Sequence, residues 1–417
     1  MLLLKQILIT QSIFALCINS TETAKSTIST TKLTTTTKST TSMIIKTTTK
    51  STTKSTISTT KSTITTTKST ISTTKSTIST AVPDKVETSF VKWDGTDFVL
   101  NNKKFAPVGF NAYWLGLHED FSYPTHPQIE EMFIIAKELG ATVIRSHTLG
   151  FSSGSQNALR PFDNNLNNRA WEPIDYAFWM ANKYNIKLIT PLTDSYNYYH
   201  GSYGDFSKTR GVSKPEFWTN LDVRNDFKDY INKWLNHVNS YTGVQIKNDP
   251  ALLMIELGNE LGNYRPGADS ISTPTKDWIG DISSYIKSID KNHMVLNGVD
   301  ESLGLSDDFN IKSLDVFSSH FYWKDYNRIN NDAQKSKSVG KPYIIGEYDS
   351  KFENDWFNTI EQNPNIKGSV FWAMYPHYNG YKSGQPMPHI DGFTLHYPED
   401  SVALDRISQH FKRMTSF

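Results

Sequence analysis

Two glutamates in this sequence sit where burial should be costly. Glu260 closes the run "ALLMIELGNE" (251–260), and Glu347 lies near the end of "PYIIGEYD" (342–349). A carboxylate in apolar surroundings is unfavourable unless it is paired or put to chemical use. Two converging carboxylates, one protonated and one ionised, are the equipment for cleaving a glycosidic bond. A separation of about 5 Å suits retention through a covalent intermediate, and roughly 6.5–9.5 Å suits inversion through an intervening water. The sequence leaves that distance open. A third carboxylate, Glu256, shares a strand face with Gly258 and Glu260 but lies deeper. It reads as a structural partner for Arg145 and not as a catalyst.

These residues need a scaffold that brings distant segments together. Short β-type runs alternate with amphipathic stretches from about Val86 onward. The runs are 104–114, 141–147, 186–194, 251–260, 293–300, 315–323, 342–349 and 368–375. Helical patterns fall between them at 127–140, 171–185, 222–239 and 273–290, with a last one at 401–414. In the fourth pattern Thr273 is placed to cap and Pro274 to occupy the first turn. Apolar strands alternating with helices imply a parallel sheet covered on both faces. Eight such units predict an α/β fold, a (β/α)8 TIM barrel. No Gly-rich phosphate fingerprint follows any strand, which weighs against an open doubly wound sheet.

Each run begins apolar and ends polar. The ends carry Asn111 and Tyr113, Arg145 and His147, Asp194, Asn259 and Glu260, Asp300, His320 and Tyr322, Glu347, and Trp372. A barrel gathers its strand ends on one face, so these residues should converge. Trp114, Trp323 and the loop "DSYNYYHGSYGDF" (194–206), with Tyr196, Tyr198, Tyr199 and His200, add aromatic surface suited to a polysaccharide groove. The histidines show no metal-ligand spacing such as H-E-x-x-H, so neither a catalytic metal nor a cofactor is expected.

The ordered set "ELGNE", "SSHFYW", "IIGEYD" and "VFWAM" resembles glycoside hydrolase family 5, in the clan with catalytic glutamates on barrel strands four and seven. Within that family "FVLNNKKFAPVGFNAYWLGL" (98–117) and "ATVIRSHTLG" (141–150) resemble the endo-β-1,4-mannanase branch. The resemblance implies Glu260 as acid/base and Glu347 as nucleophile. It implies Asn259 at the sugar 2-hydroxyl, Arg145 and Tyr322 on the nucleophile, His320 at the proton-transfer site and Trp372 beneath the cleaved sugar. Two positions depart from it: Leu261 follows the Asn-Glu pair where many relatives have proline, and His147 stands where many fungal mannanases have tryptophan. Rival readings are a β-1,4-glucanase, an exo-acting β-mannosidase, and an inactive wall-binding protein.

The rest of the chain bounds the setting. Residues 1–20 match a secretory signal peptide, with Lys5 ahead of a short apolar stretch. Residues 21–85 form a Ser/Thr/Lys-rich linker in which "KSTISTT" recurs from Lys54, too poor in apolar residues to build a core. Residues 86–417 form the catalytic domain. Cys17 is the only cysteine, which excludes disulfides and thiolate chemistry in the mature domain. The lysines before residue 84 carry the chain's positive excess, so the body is acidic and nucleic acid is not an expected partner. A secreted, extracellular monomer acting on mannan or glucomannan, without membrane contact after processing, is the expectation.

Overall fold

The computed structural model describes residues 88–262, 273–298 and 310–417. The signal-peptide and linker expectations, and Asp300, lie outside the described residues.

Eight parallel strands form the centre: β4 (Val108–Asn111), β5 (Val143–Arg145), β6 (Lys187–Pro191), β7 (Leu252–Glu256), β8 (Met294–Leu296), β9 (Phe317–Phe321), β10 (Tyr343–Tyr348) and β11 (Ile366–Phe371). Their order is β8-β7-β6-β5-β4-β11-β10-β9, and a parallel bridge from Leu296 to Val316 brings β8 to β9 and closes the ring. Seven of the predicted runs contain one of these strands, and the eighth, 368–375, overlaps β11, which begins two residues earlier. Nearly every strand residue is buried, as the continuous apolar runs require of a sheet covered on both faces.

A second, smaller sheet was not legible in the sequence. It is antiparallel and comprises β1 (Lys92–Asp94), β2 (Asp97–Leu100) and β3 (Lys103–Phe105). Phe98 of β2 packs with Val143, Ile189, Met254 and Ile344, which come from inward-facing positions of the barrel. It therefore stoppers the end of the barrel where the strands begin. Met254 faces this interior, so Glu256, two residues on, is inward one layer higher, and Gly258 and Glu260 continue toward the mouth.

The helices follow their signals closely. His126–Leu139 starts at Thr125, whose backbone N–H donates to Gln128 Oε1 at 2.8 Å, and ends at Gly140 with φ 77°. The helix Lys276–Ile289 begins later than expected. Thr275 caps it by accepting from the Trp278 N–H at 3.1 Å, so Thr273 and Pro274 precede the cap.

Candidate active site

Arg145, the last residue of β5, organises the barrel mouth. It is fully buried, and its guanidinium faces six acceptors with five protons. Nε and Nη2 donate to Glu256 at 2.7 and 2.9 Å, and Nη2 also donates to Asn259 Oδ1 at 2.8 Å. Nη1 reaches Glu347 Oε1 at 2.8 Å, Asn111 Oδ1 at 2.9 Å and His147 Nε2 at 3.0 Å. Burial disfavours its charge, but Glu256 and Glu347 outweigh that and raise its pKa. The expected Arg145–Glu256 pair is therefore present, and it supports the group that faces Glu347.

Glu347 receives a second donor on its other oxygen, the Tyr322 hydroxyl. Burial raises the Glu347 pKa above the usual carboxylate range, opposed by His320 and Arg145. His320 Nδ1 donates to Glu260 Oε1 at 2.8 Å and lies 3.6 Å from Glu347 Oε2. Burial would discharge His320, but Glu347 and Glu260 raise its pKa. One oxygen of Glu260, one oxygen of Glu347 and one His320 nitrogen all lie within 4.8 Å of one another. That closeness suits the carboxylate spacing for retention better than the wider spacing of an inverting pair.

Local backbone geometry fixes both glutamates. Glu260 has φ 49°, a left-handed conformation rare for a residue with a side chain and costing of order 1–3 kcal/mol. Flanking bonds hold it there: Asn259 N–H to Thr193 O at 2.8 Å and Leu261 N–H to Gly298 O at 2.8 Å. Gly346 must be glycine for another reason. A Cβ there would lie 2.7 Å from His320 Nε2, so the imidazole packs directly on the backbone before Glu347.

Asn259 is oriented at both ends of its amide. Its Oδ1 accepts from Arg145, and its Nδ2 donates to Asp194 Oδ2 at 3.1 Å, leaving one further amide proton for a sugar hydroxyl. Asp194 also accepts from the Tyr196 N–H at 2.7 Å and from His200 Nε2 at 3.0 Å. Burial raises its pKa.

Among the described residues, two groups bring three potential metal-ligand atoms within 4.8 Å: His147, Asp194 and His200, and Glu260, His320 and Glu347. Their hydrogen bonds assign the protons. His147 Nε2 faces the Arg145 N–H, so the ring proton sits on Nδ1, 3.6 Å from Asp194. His200 Nε2 and His320 Nδ1 are likewise donors to carboxylates. Neither trio presents three lone pairs to a cation.

The aromatic candidates separate. Trp372 is half-buried with Tyr113 stacked on it, centroids 5.0 Å apart and planes 9° apart, and with His147 at 5.6 Å. Trp114 does not belong to a sugar-binding surface. It is fully buried, stacked on His118 at 4.9 Å, with its indole N–H on Met374 O at 3.1 Å. It packs behind the cleft because the chain turns immediately after β4. Tyr199 is similarly an anchor, its hydroxyl on Leu117 O at 2.8 Å, whereas Tyr198 and Trp323 are exposed.

The structure also adds residues that the sequence did not single out. Asp391 accepts the Trp372 indole N–H at 2.7 Å. Glu119 and His389 meet beside Tyr113, and Asp194, visible in sequence only as a strand-end acid, holds Asn259.

The family described as "GH family 5 beta-mannosidase-like" matches residues 164–347. The chain is 31% identical over 290 residues to a protein named putative mannan endo-1,4-beta-mannosidase 4 from Arabidopsis thaliana, covering 68% of this chain and 67% of that protein. It is 26% identical over 385 residues to mannan endo-1,4-beta-mannosidase 7 of the same plant, covering 78% and 85%. Among solved structures, the endo-1,4-beta-mannanase from Rhizomucor miehei aligns with a TM-score of 0.67 at 26% identity, over 78% of this chain and 99% of that one.

Proposed function

We propose that this chain, which belongs to glycoside hydrolase family 5, is an endo-acting β-1,4-mannanase that cleaves mannan and glucomannan with retention of configuration. The observation that carries the reading is the Glu260–His320–Glu347 constellation, with carboxylate oxygens within 4.8 Å and unequal surroundings. Glu347, held by Arg145 and Tyr322, is the nucleophile that attacks the anomeric carbon. Glu260, held by His320, gives its proton to the departing oxygen and later takes one from the water that releases the glycosyl-enzyme. Trp372 is the platform for the cleaved sugar, and the remaining Asn259 amide proton reaches its 2-hydroxyl, a bond that tightens as positive charge develops at the ring.

In this reading His147, Tyr196 and His200 contribute to sugar binding from the segments after β5 and β6; His147 meets Arg145 and Trp372, and Tyr196 N–H and His200 Nε2 meet Asp194, which holds Asn259. Secretion belongs to the same proposal and is supported by the composition of residues 1–20.

The test is reducing-sugar release from mannan, glucomannan and cellulose side by side. Mannose and glucose differ at C2, and a site that hydrogen-bonds one hydroxyl arrangement rejects the other strongly. Mannan or glucomannan should be cleaved at least about tenfold better than cellulose, a gap of roughly 1.4 kcal/mol in transition-state binding. Mixed oligosaccharides should appear early. Equal rates on both polymers would overturn the mannanase reading, and mannose alone would favour exo action.

A further inference from the structure

We propose that Asp391, His389 and Glu119 form a charged latch that fixes the Trp372 platform and ties together the loops following β4, β6 and β11. They are positioning residues for the sugar being cleaved, and the proposal rests on the glycosidase reading above. Trp372 stacks on Tyr113 through one face. Its orientation about that stack depends on the indole N–H, which donates to Asp391 Oδ2 at 2.7 Å.

Asp391 is itself held. It accepts the backbone N–H groups of Phe393 and Thr394, each at 2.8 Å, and the Thr394 hydroxyl at 3.0 Å. His389 stands beside it, Nδ1 3.4 Å from Asp391 Oδ1 and 2.9 Å from the Thr394 hydroxyl. Its other nitrogen lies 3.0 Å from Glu119 Oε1 and 2.7 Å from the Tyr113 hydroxyl. Glu119 also accepts from Tyr113 at 2.9 Å and from the Tyr198 hydroxyl. A chain of hydrogen bonds thus runs from the platform tryptophan to a glutamate that clasps the loop after β6.

An imidazolium between two carboxylates is the arrangement that lets both remain ionised at low exposure. The groups facing His389 are Glu119 and Tyr113 from the segment after β4, Tyr375 from the segment after β11 (ring centroids 5.0 Å), and Asp391 and Thr394 from its own loop. Burial alone would discharge His389, yet Asp391 and Glu119 push its pKa up to about 9. The latch is therefore closed below that value and loosens as pH rises through it. The platform contacts sugar in ground and transition states alike, so its loss should appear mainly in KM.

The experiment uses the full chain with Asp391→Asn, His389→Gln and Glu119→Gln. Circular dichroism and melting confirm folding, and kcat and KM on soluble mannan are measured from pH 5 to 10. A lost hydrogen bond to a charged group predicts KM about tenfold higher or more for Asp391→Asn, with kcat changed much less. Wild-type KM should rise as pH passes about 9. In Glu119→Gln that rise should begin at lower pH, because the imidazolium has lost one of its carboxylates. A merely structural role would lower the melting temperature and leave KM and its pH dependence unmoved, and that result overturns the latch. If instead the wild-type protein fails to cleave mannan at all, the glycosidase reading has failed first, and the two outcomes are distinguished by that control.

Discussion

Replacing Glu256 by glutamine separates structural support from chemistry at the barrel mouth. Glu256 is fully buried and meets Arg145 through two bonds of 2.7 and 2.9 Å. Glutamine keeps one accepting oxygen, but its amide group turns a donor toward a guanidinium that has only donors. It also removes one of the two carboxylates that sustain the Arg145 charge. Breaking a buried pair by removing one partner costs about 3–5 kcal/mol. That is a large share of a total of roughly 5–15 kcal/mol for a folded domain. At roughly 2 °C per kcal/mol for a large domain, the melting temperature should fall by about 6–10 °C.

Turnover should suffer less than stability. Arg145 keeps its bonds to Glu347, Asn259 and Asn111, so the guanidinium shifts without leaving the nucleophile. Such a displacement is worth up to about a hundredfold in rate. Differential scanning calorimetry, paired with activity per folded molecule, reads both quantities. An unchanged melting temperature with turnover abolished would refute the assignment and put Glu256 into the reaction itself.

Other perturbations address the chemistry directly. Glu260→Gln and Glu347→Gln should each stay folded and lose about two to four or more orders of magnitude in kcat, checked by steady-state kinetics on mannan. Glu347→Ala should regain turnover with azide on an activated aryl β-mannoside, yielding a glycosyl azide of inverted configuration by NMR; normal activity without azide would exclude a covalent step through Glu347. Tyr322→Phe removes a donor that favours the ionised nucleophile, so the acid limb of the kcat/KM profile should move to higher pH. The sign follows because Glu347 must lose its proton to attack, and without Tyr322 it holds that proton more tightly. Gly346→Ala should cut kcat by about a hundredfold with little change in far-UV circular dichroism, because the new methyl displaces His320.

What the sequence disclosed and what it withheld have different physical origins. Strand-borne residues were legible because a strand has a fixed period and a barrel fixes which end faces the mouth. From that alone Glu260, Glu347, Arg145 and His320 could be placed on one face, and Glu256 could be set beneath Glu260. Trp114 escaped this logic. It lies past the end of β4, where the chain turns and the two-residue period no longer applies, so its side chain went inward to Met374. The β1–β3 sheet was missed because its polar, three- or four-residue strands carry little apolar periodicity, although Phe98, with Val91, Leu100 and Phe105, packs onto the barrel's interior cluster.

The latch residues were invisible for a further reason. Glu119, His389 and Asp391 lie on loops, and their meeting depends on β11 being hydrogen-bonded to β4 across the closed sheet. No local pattern encodes that adjacency; only the ring does. The same closure that makes β4 and β11 neighbours therefore does two things at once. It delivers Trp372 to the mouth beside Tyr113, and it brings the carboxylate that orients Trp372, with the imidazole on its own loop, within reach of a second acid from the opposite end of the domain. The strand ends supply the reacting groups, and the loops, joined by ring closure, determine how a sugar must lie above them.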